Sequence, residues 1–559
     1  MTTDTESIRA AWAQINEAEE AGEWSQATTI YNEITKSVER TPELIARHAL
    51  AVLHAGDPAR SATMTRKAAR LAPTDAGIQL QLGKIYFIQS RHKEAESTFR
   101  KVLEMEPDNI DAMRRLAQSI QMERTGWKEA EKLLLKAARI EPTNIAVWQQ
   151  LGAIYGNDPR RYKEAEDAFK KALKMEPNLP SAYHNLGLLR RFQADLPEAE
   201  KLLRKACELL PKDTSYAFSM GSCLMYMEQI EESLAWFKKA ADLDDANIAA
   251  KVYTAFALFL GGQIREGWVQ YEKRLKLKDL KDLNYSRPRW DGSDVGEQSI
   301  LLLREQGYGD NLQFIRYAKY VAERSNGKVI LLAQTPLLRL FNSVEGVSLT
   351  LSATPEPKYF HRFIPLMSLP YIFETDKDSI PADVPYVAAQ AADIEYWREH
   401  LDSYPGLKVG VNWRGNPGHL NDSFRSSSLE EMSQLFDIPG ITFFSLVFDR
   451  PIFEEELPEN LIDISYGFND FADTAAAMEN LDLIITVDTS TCHLAGALAR
   501  PVWTMIARGP DFRWGLNTSE SPWYPTMKLF RQAVLGEWSD VYKRISAELI
   551  MLASTHNAS

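Results

Sequence analysis

At 559 residues the chain exceeds what one hydrophobic core supports, so two to four domains are expected. A formal charge of −13 argues against a nucleic-acid binder, which usually carries a basic stripe. Cys207, Cys223 and Cys492 are the only cysteines, without a Cys-x-x-Cys pair or a histidine at metal spacing, which argues against a zinc site and fits a reducing compartment.

The acidic opening, Met1 to Ser7, has no apolar core, so no signal peptide is expected, and no apolar run approaches the roughly 20 residues of a membrane span. The expected location is cytoplasmic. From about residue 10 to 275 the chain is rich in Ala, Leu, Glu and Lys, and Pro73, Pro107, Pro142, Pro177 and Pro211 stand 34, 35, 35 and 34 residues apart. Within that frame Leu82, Gly83, Tyr86, Ala95 and Phe99 recur as Leu151, Gly152, Tyr155, Ala165 and Phe169, and in part as Leu186, Gly187, Ala199 and Leu203. This is the tetratricopeptide pattern, two helices per repeat with small residues where the helices cross. Such units stack because none buries its apolar face alone. The array offers either a groove for a protein or peptide, or a spacer or dimerisation arm.

Residues 276–297 break the helical frame, with Pro288 and Gly292 as punctuation and Trp290 expected as an anchor packing the junction. Beyond them short apolar runs alternate with helical intervals. Strands are expected near 299–303, 328–333, 347–351 and 362–366, with a helix over 311–324. A second set is expected near 407–413, 442–447, 481–487 and 502–506, with helices over 428–436 and 470–478. The division reads as repeats 1–275, linker 276–297, one Rossmann-like lobe 298–400 and a second lobe 401–559.

Four loops at strand ends carry the candidate chemistry. In the first, Gly307 and Gly309 allow a tight turn and close backbone approach to a ligand. Asp310 then sits at or near a helix N-terminus, where a carboxylate either caps the helix or serves as a general base. The second, within 411–426, holds Arg414, Asn416, His419, Asn421 and Arg425, a pattern that suits phosphate or carboxylate recognition or simply a solvated loop. The third joins a buried strand to small capping residues, Asp488-Thr489-Ser490-Thr491, and a helix over 493–499. It is either an ordinary crossover or a phosphate site at a helix N-terminus, with His493 one turn in. The fourth, 507–514, has a charge pair and aromatics.

Five pieces together resemble bacterial tetratricopeptide glycosyltransferases: Glu305 to Phe314, Asn412 to Asn416, Asp422 to Ser426, Asp488 to Leu498 and Pro510 to Trp514. The catalytic half of these enzymes is similar to the lipopolysaccharide heptosyltransferases of GT-B fold, and the nearest type is the FlmG-type flagellin glycosyltransferases. The resemblance implies an α-solenoid followed by a GT-B-like pair of Rossmann-like lobes, the second binding the donor. It implies Asp310 as base and a donor phosphate on the helix beginning near Thr489 to His493. Gly307, Gly309, Asn311, Arg414, Asn416, Arg425, Ser426, Asp488, Thr489, Ser490 and His493 are the implied donor- and substrate-binding residues. Ser490 stands where the family commonly has glycine. No metal or other cofactor is implied besides a nucleotide-sugar donor, such as a CMP-linked nonulosonic acid of the pseudaminic type, and the repeats are expected to bind flagellin. A UDP-GlcNAc-using transferase like the animal O-GlcNAc enzyme is the alternative. The positions before the Leu-Gly pairs are Gln81, Arg115, Gln150, Asn185, Ser219 and Tyr253, so that enzyme's asparagine ladder is absent. A non-catalytic repeat scaffold or flagellin chaperone is the other alternative.

Overall fold

Two residues after most of the periodic prolines stands an Asp or Asn, and in the structure it starts a helix. The structure is a computed structural model describing residues 2–123, 126–277, 286–419, 421–448, 457–509 and 511–556. Asp75, Asn109, Asn144 and Asp213 each accept the N–H three residues ahead and begin Ala76–Ile88, Ile110–Met122, Ile145–Tyr155 and Thr214–Tyr226. Each of these helices pairs with the next: His92–Met105, Trp127–Ile140, Tyr162–Met175 and Ile230–Leu243. The crossing is set by the Leu-Gly signature. A Cβ added at Gly83 or Gly152 would fall 2.5 Å from the ring of Phe99 or Phe169, and one at Gly221 would fall 2.9 Å from Phe237. Glycine on one helix thus makes the hole for the aromatic ring of its partner.

By contact the chain divides into two compact units, 1–189 and 190–559. The first holds helix pairs alone. The second holds the last pairs, ending with Ile248–Leu260, Ile264–Tyr271 and a 3-10 turn Glu272–Lys276, together with all the described strands.

Ten strands lie among the described residues. The first sheet is built from β1 (Ser299–Leu303), β2 (Lys328–Leu332), β3 (Val347–Leu351) and β4 (Arg362–Pro365), ordered β3-β2-β1-β4 and wholly parallel. The second is built from β5 (Leu407–Asn412), β6 (Ile441–Ser445), β7 (Leu461–Asp463), β8 (Leu483–Val487), β9 (Val502–Ile506) and β10 (Met527–Arg531). Its order is β10-β9-β8-β5-β6-β7, again parallel throughout. This is the doubly wound arrangement, and the order β3-β2-β1-β4 of the first sheet is its 3-2-1-4 part. Every residue of β1 and β8 is buried, as strands covered on both faces require. The winding reverses beside β1 and beside β5, and ligands of such sheets bind outside the strand carboxyl ends there.

Some expected elements change. The helix over 311–324 is two helices, Tyr308–Phe314 and Ala318–Ser325, separated by a 3-10 turn. The helix expected over 493–499 is Ser490–Ala497, starting three residues earlier, with Ala499 already in the left-handed region at φ 59°. The helix over 428–436 shortens to Leu429–Ser433. Helix Ala391–Leu401, in the expected first lobe, packs on Phe471–Met478 of the second sheet's layer, with Asn480 Nδ2 donating to the Ile394 carbonyl at 2.9 Å. Trp290 is buried as expected, its indole donating to the Ser293 carbonyl at 2.8 Å. Residues 278–285 of the expected linker and Pro510 lie outside the described residues. Among the described residues no helix is long and apolar enough to cross a membrane.

Candidate active site

A cavity of about 830 Å³ opens where the carboxyl ends of both sheets meet the last helix pairs of the second unit. It is lined by the loops after β1, β5, β8 and β9, and by Tyr226, Tyr253, Phe256 and Tyr271 of the repeats.

The loop after β1 is held from behind. Glu305 and Arg274 form a salt bridge of 2.7 Å with side chains 0 % and 1 % exposed, and Glu305 also accepts the Met367 N–H at 3.2 Å. Gln306 takes a left-handed φ of 56° and donates to the Tyr271 hydroxyl at 2.7 Å. Strain of this kind persists only where surroundings over-determine it, and it clusters at functional sites. Asp310 is the third residue of helix Tyr308–Phe314. Its Oδ2 accepts the Gly307 N–H at 2.8 Å and its Oδ1 accepts Arg513 Nη2 at 2.5 Å. The carboxylate therefore caps its helix and also faces the cavity. Burial holds its pKa above the usual carboxylate value, against the pull of Arg513 and the Gly307 N–H.

The opposite edge is the start of helix Ser490–Ala497. Thr489 occupies the cap position but its hydroxyl makes no capping bond, so the first N–H groups open on the cavity that Thr489 and Ser490 line. The Asp488 carboxyl is pushed up to about 6 by burial and by the charge of Asp511. His493 is buried, stacked on Trp514 at 5.3 Å, with Nδ1 paired to the Tyr524 hydroxyl at 2.9 Å. Burial and the Arg513 and Arg316 charges hold it well below the ordinary histidine value, hence neutral. Gly309 serves this packing rather than a turn: a Cβ there would fall 2.8 Å from His493 Cδ2.

Arg425 and Asn416 line the cavity with them. The Arg425 guanidinium lies over Gly415, donates to Asp422 Oδ1 at 3.1 Å and reaches the Asp488 carbonyl at 3.2 Å, tying the loop after β5 to the helix start. Of the other expected ligand residues, Asn311 and Ser426 do structural work instead. Asn311 is buried and clips its own loop, donating to the carbonyls of Glu305 at 2.8 Å and Gly307 at 2.7 Å. Ser426 accepts the Gly415 N–H and donates to Asp422, both at 2.9 Å. Arg414 is not among the cavity residues.

The sequence reading named the 507–514 loop but gave no role to Arg513, whose guanidinium also holds Gln313 Oε1 at 2.6 Å and Asp511 Oδ1 at 2.7 Å, and it missed all four repeat aromatics. It also found no histidine at metal spacing from a cysteine. The fold brings ligand atoms of Asp488, Cys492 and His493 within 4.8 Å of one another. Cys492 Sγ donates to the Thr489 carbonyl at 2.9 Å, and burial keeps the thiol protonated. Cys492 Sγ and His493 Nδ1 already have hydrogen-bond partners within the fold.

Tetratricopeptide-repeat family models match residues 76–109 and 214–247, each one helix pair, and 159–214, which runs from the second helix of one pair through the next pair. The N-terminal helices are a tetratricopeptide array, an architecture suited to binding other proteins. Over 325 residues the chain is 26 % identical to Protein FlbA of Caulobacter vibrioides, covering 52 % of each, so it spans about half the length of that curated relative. Solved structures similar to it include TTC0263, a tetratricopeptide protein of Thermus thermophilus, at 20 % identity over 33 % of this chain and 98 % of that one, with a TM-score of 0.31. The Cut9–Hcn1 hetero-tetramer of the APC/C matches at 15 % identity over 49 % of this chain and 54 % of that one, with a TM-score of 0.38.

Proposed function

We propose that the chain is a protein O-glycosyltransferase of GT-B type, moving a sugar from a nucleotide-activated donor to a Ser or Thr hydroxyl of a polypeptide. One observation carries the reading. Asp310, after the first strand of one doubly wound sheet, and the helix N-terminus at Thr489 to His493, after β8 of the other, line one cavity. In the reaction the acceptor oxygen bonds to the anomeric carbon as that carbon's bond to the donor phosphate oxygen breaks. The hydroxyl proton goes to Asp310, and the phosphate departs with the bonding electrons. A carboxylate raised above its ordinary value is the stronger base, while the helix start and Arg425 favour the departing anion. Flagellin as acceptor and a CMP-linked nonulosonic acid as donor sugar rest on the resemblance to FlmG-type enzymes.

A thermal-shift panel with CMP, UDP, GDP and ADP tests it, because a ligand at about 100 times its dissociation constant adds roughly 2.7 kcal/mol to stability. A shift with CMP alone supports nonulosonic acid transfer, and one with UDP redirects the donor to the UDP-GlcNAc class. The engagement of both Asp310 oxygens favours the second reading, a repeat scaffold without catalysis. No shift with any nucleotide, in protein that still binds its polypeptide partner, would put that reading first.

A further inference from the structure

The 3-10 turn Phe512–Trp514 sends three consecutive side chains to three different elements. Phe512 stacks on Phe256 at 5.4 Å and Phe259 at 4.6 Å, and meets the edge of Trp268 at 6.0 Å, so it sits in an aromatic cup of the last helix pair. Arg513, 9 % exposed, lies on Asp310, and Trp514 lies on His493. Asp511 fixes the turn by accepting both the Arg513 N–H at 3.0 Å and its guanidinium. Phe512 and Arg513 are consecutive residues of one short 3-10 turn pinned by Asp511, so a shift of Phe512 is passed through the backbone to Arg513.

We infer that Arg513 is a positioning residue for Asp310, and that the last repeat sets its place through Phe512. This rests on reading Asp310 as the base. A buried carboxylate must be ionised to accept a proton, and the contacting guanidinium supplies the countercharge while the Gly307 N–H fixes the other oxygen. The other titratable groups facing Asp310 are Tyr271 from the repeat, Asp511 from the same turn, His419 from the loop after β5 and His493 across Gly309. Burial holds Tyr271 and His493 neutral and lowers His419, and Asp511 adds a second negative charge, so Arg513 is the cation that counts here.

The test is the pH–rate profile of sugar transfer in wild type, Arg513→Met, Arg513→Lys and Phe512→Leu. In Arg513→Met, kcat falls on the order of 100-fold and the acid limb moves to higher pH, with the nucleotide thermal shift still present. Arg513→Lys returns the limb most of the way. Phe512→Leu moves it part of the way, although Arg513 is intact. A lower kcat with an unmoved limb in Arg513→Met means a merely structural role and overturns the inference. Without reference to activity, Phe512→Leu and Asp310→Asn must change unfolding stability non-additively. Additive effects overturn the coupling even where wild type transfers sugar. Absent wild-type transfer with non-additive stability retains the coupling and removes only the enzyme.

Discussion

The early and the terminal repeats use one frame for different ends. In two early repeats the last residue of the leading helix faces solvent: Ile88 and Met122 are each 57 % exposed. At the same frame position in a terminal repeat, Tyr226 is 6 % exposed, packs on Phe424 and donates to Asn421 Oδ1 at 2.6 Å. Charges follow the same contrast. Arg91 and Glu94 pair in the open, whereas Arg274 and Glu305 pair with no water access. The repeat signature governs how two helices cross, through Gly83 against Phe99 and Gly221 against Phe237. It leaves the outward positions free, and the terminal repeats use theirs for the wall of a cavity.

The contrast can be broken most severely at Glu305. Glu305→Ala removes the buried carboxylate from Arg274 and leaves only the partly exposed Glu272, at 2.9 Å, to balance its charge, and chemical denaturation should register a loss of about 3 kcal/mol. Next is Gly509, at φ 69°, where an added Cβ would fall 2.7 Å from Tyr226 Cδ1 and 3.0 Å from its Cα. Gly509→Ala should cost about 1–3 kcal/mol, and Tyr226→Phe in the same background should not relieve it, since the clash is with ring and backbone rather than the hydroxyl.

His493 sharpens the comparison through pH. Its folded pKa is depressed by burial, so its contribution is fully present above the unfolded value near 6.5 and is lost as pH falls below it. His493 should add a slope of about 1.4 kcal/mol per pH unit below about 6.5, and His493→Gln should reduce the slope by that amount in urea titrations at about pH 6.5, 5.5 and 4.5. A wild-type curve as flat as the variant's would mean that His493 is already charged in the folded chain. The smallest effect belongs to the exposed pair: Arg91→Ala should leave the melting temperature of the array unchanged within error.

The repeats were legible because one physical requirement recurs at one spacing. A glycine hole, an aromatic knob and a proline every 34 or 35 residues are all local to one hairpin. The strands next to the cavity were legible too, because parallel strands buried on both faces read as unbroken apolar runs. β7, with three residues, was too short to register, and the helix over 311–324 concealed a 3-10 turn that leaves its apolar spacing nearly intact. Asp310 and Asp488 to His493 could be found because strand ends of such sheets are where ligands go. Choosing between Arg414 and Arg425 required the path of the loop, which no spacing encodes. Arg513 reaches Asp310 across 203 positions and Tyr226 reaches Asn421 across 195, so neither pairing left a local trace.

The Asp and Asn caps at the start of Ala76–Ile88, Ile110–Met122 and Ile145–Tyr155 make these hairpins interchangeable modules, each closed by its own residues and matched at its borders. Whole modules there can be duplicated or lost over descent without rewriting any other part of the chain. The hairpins after residue 190 have no such freedom, because Tyr226, Phe256 and Arg274 are each answerable to a distant partner. Relatives of this chain should therefore differ in the number of their early repeats and agree in their last ones.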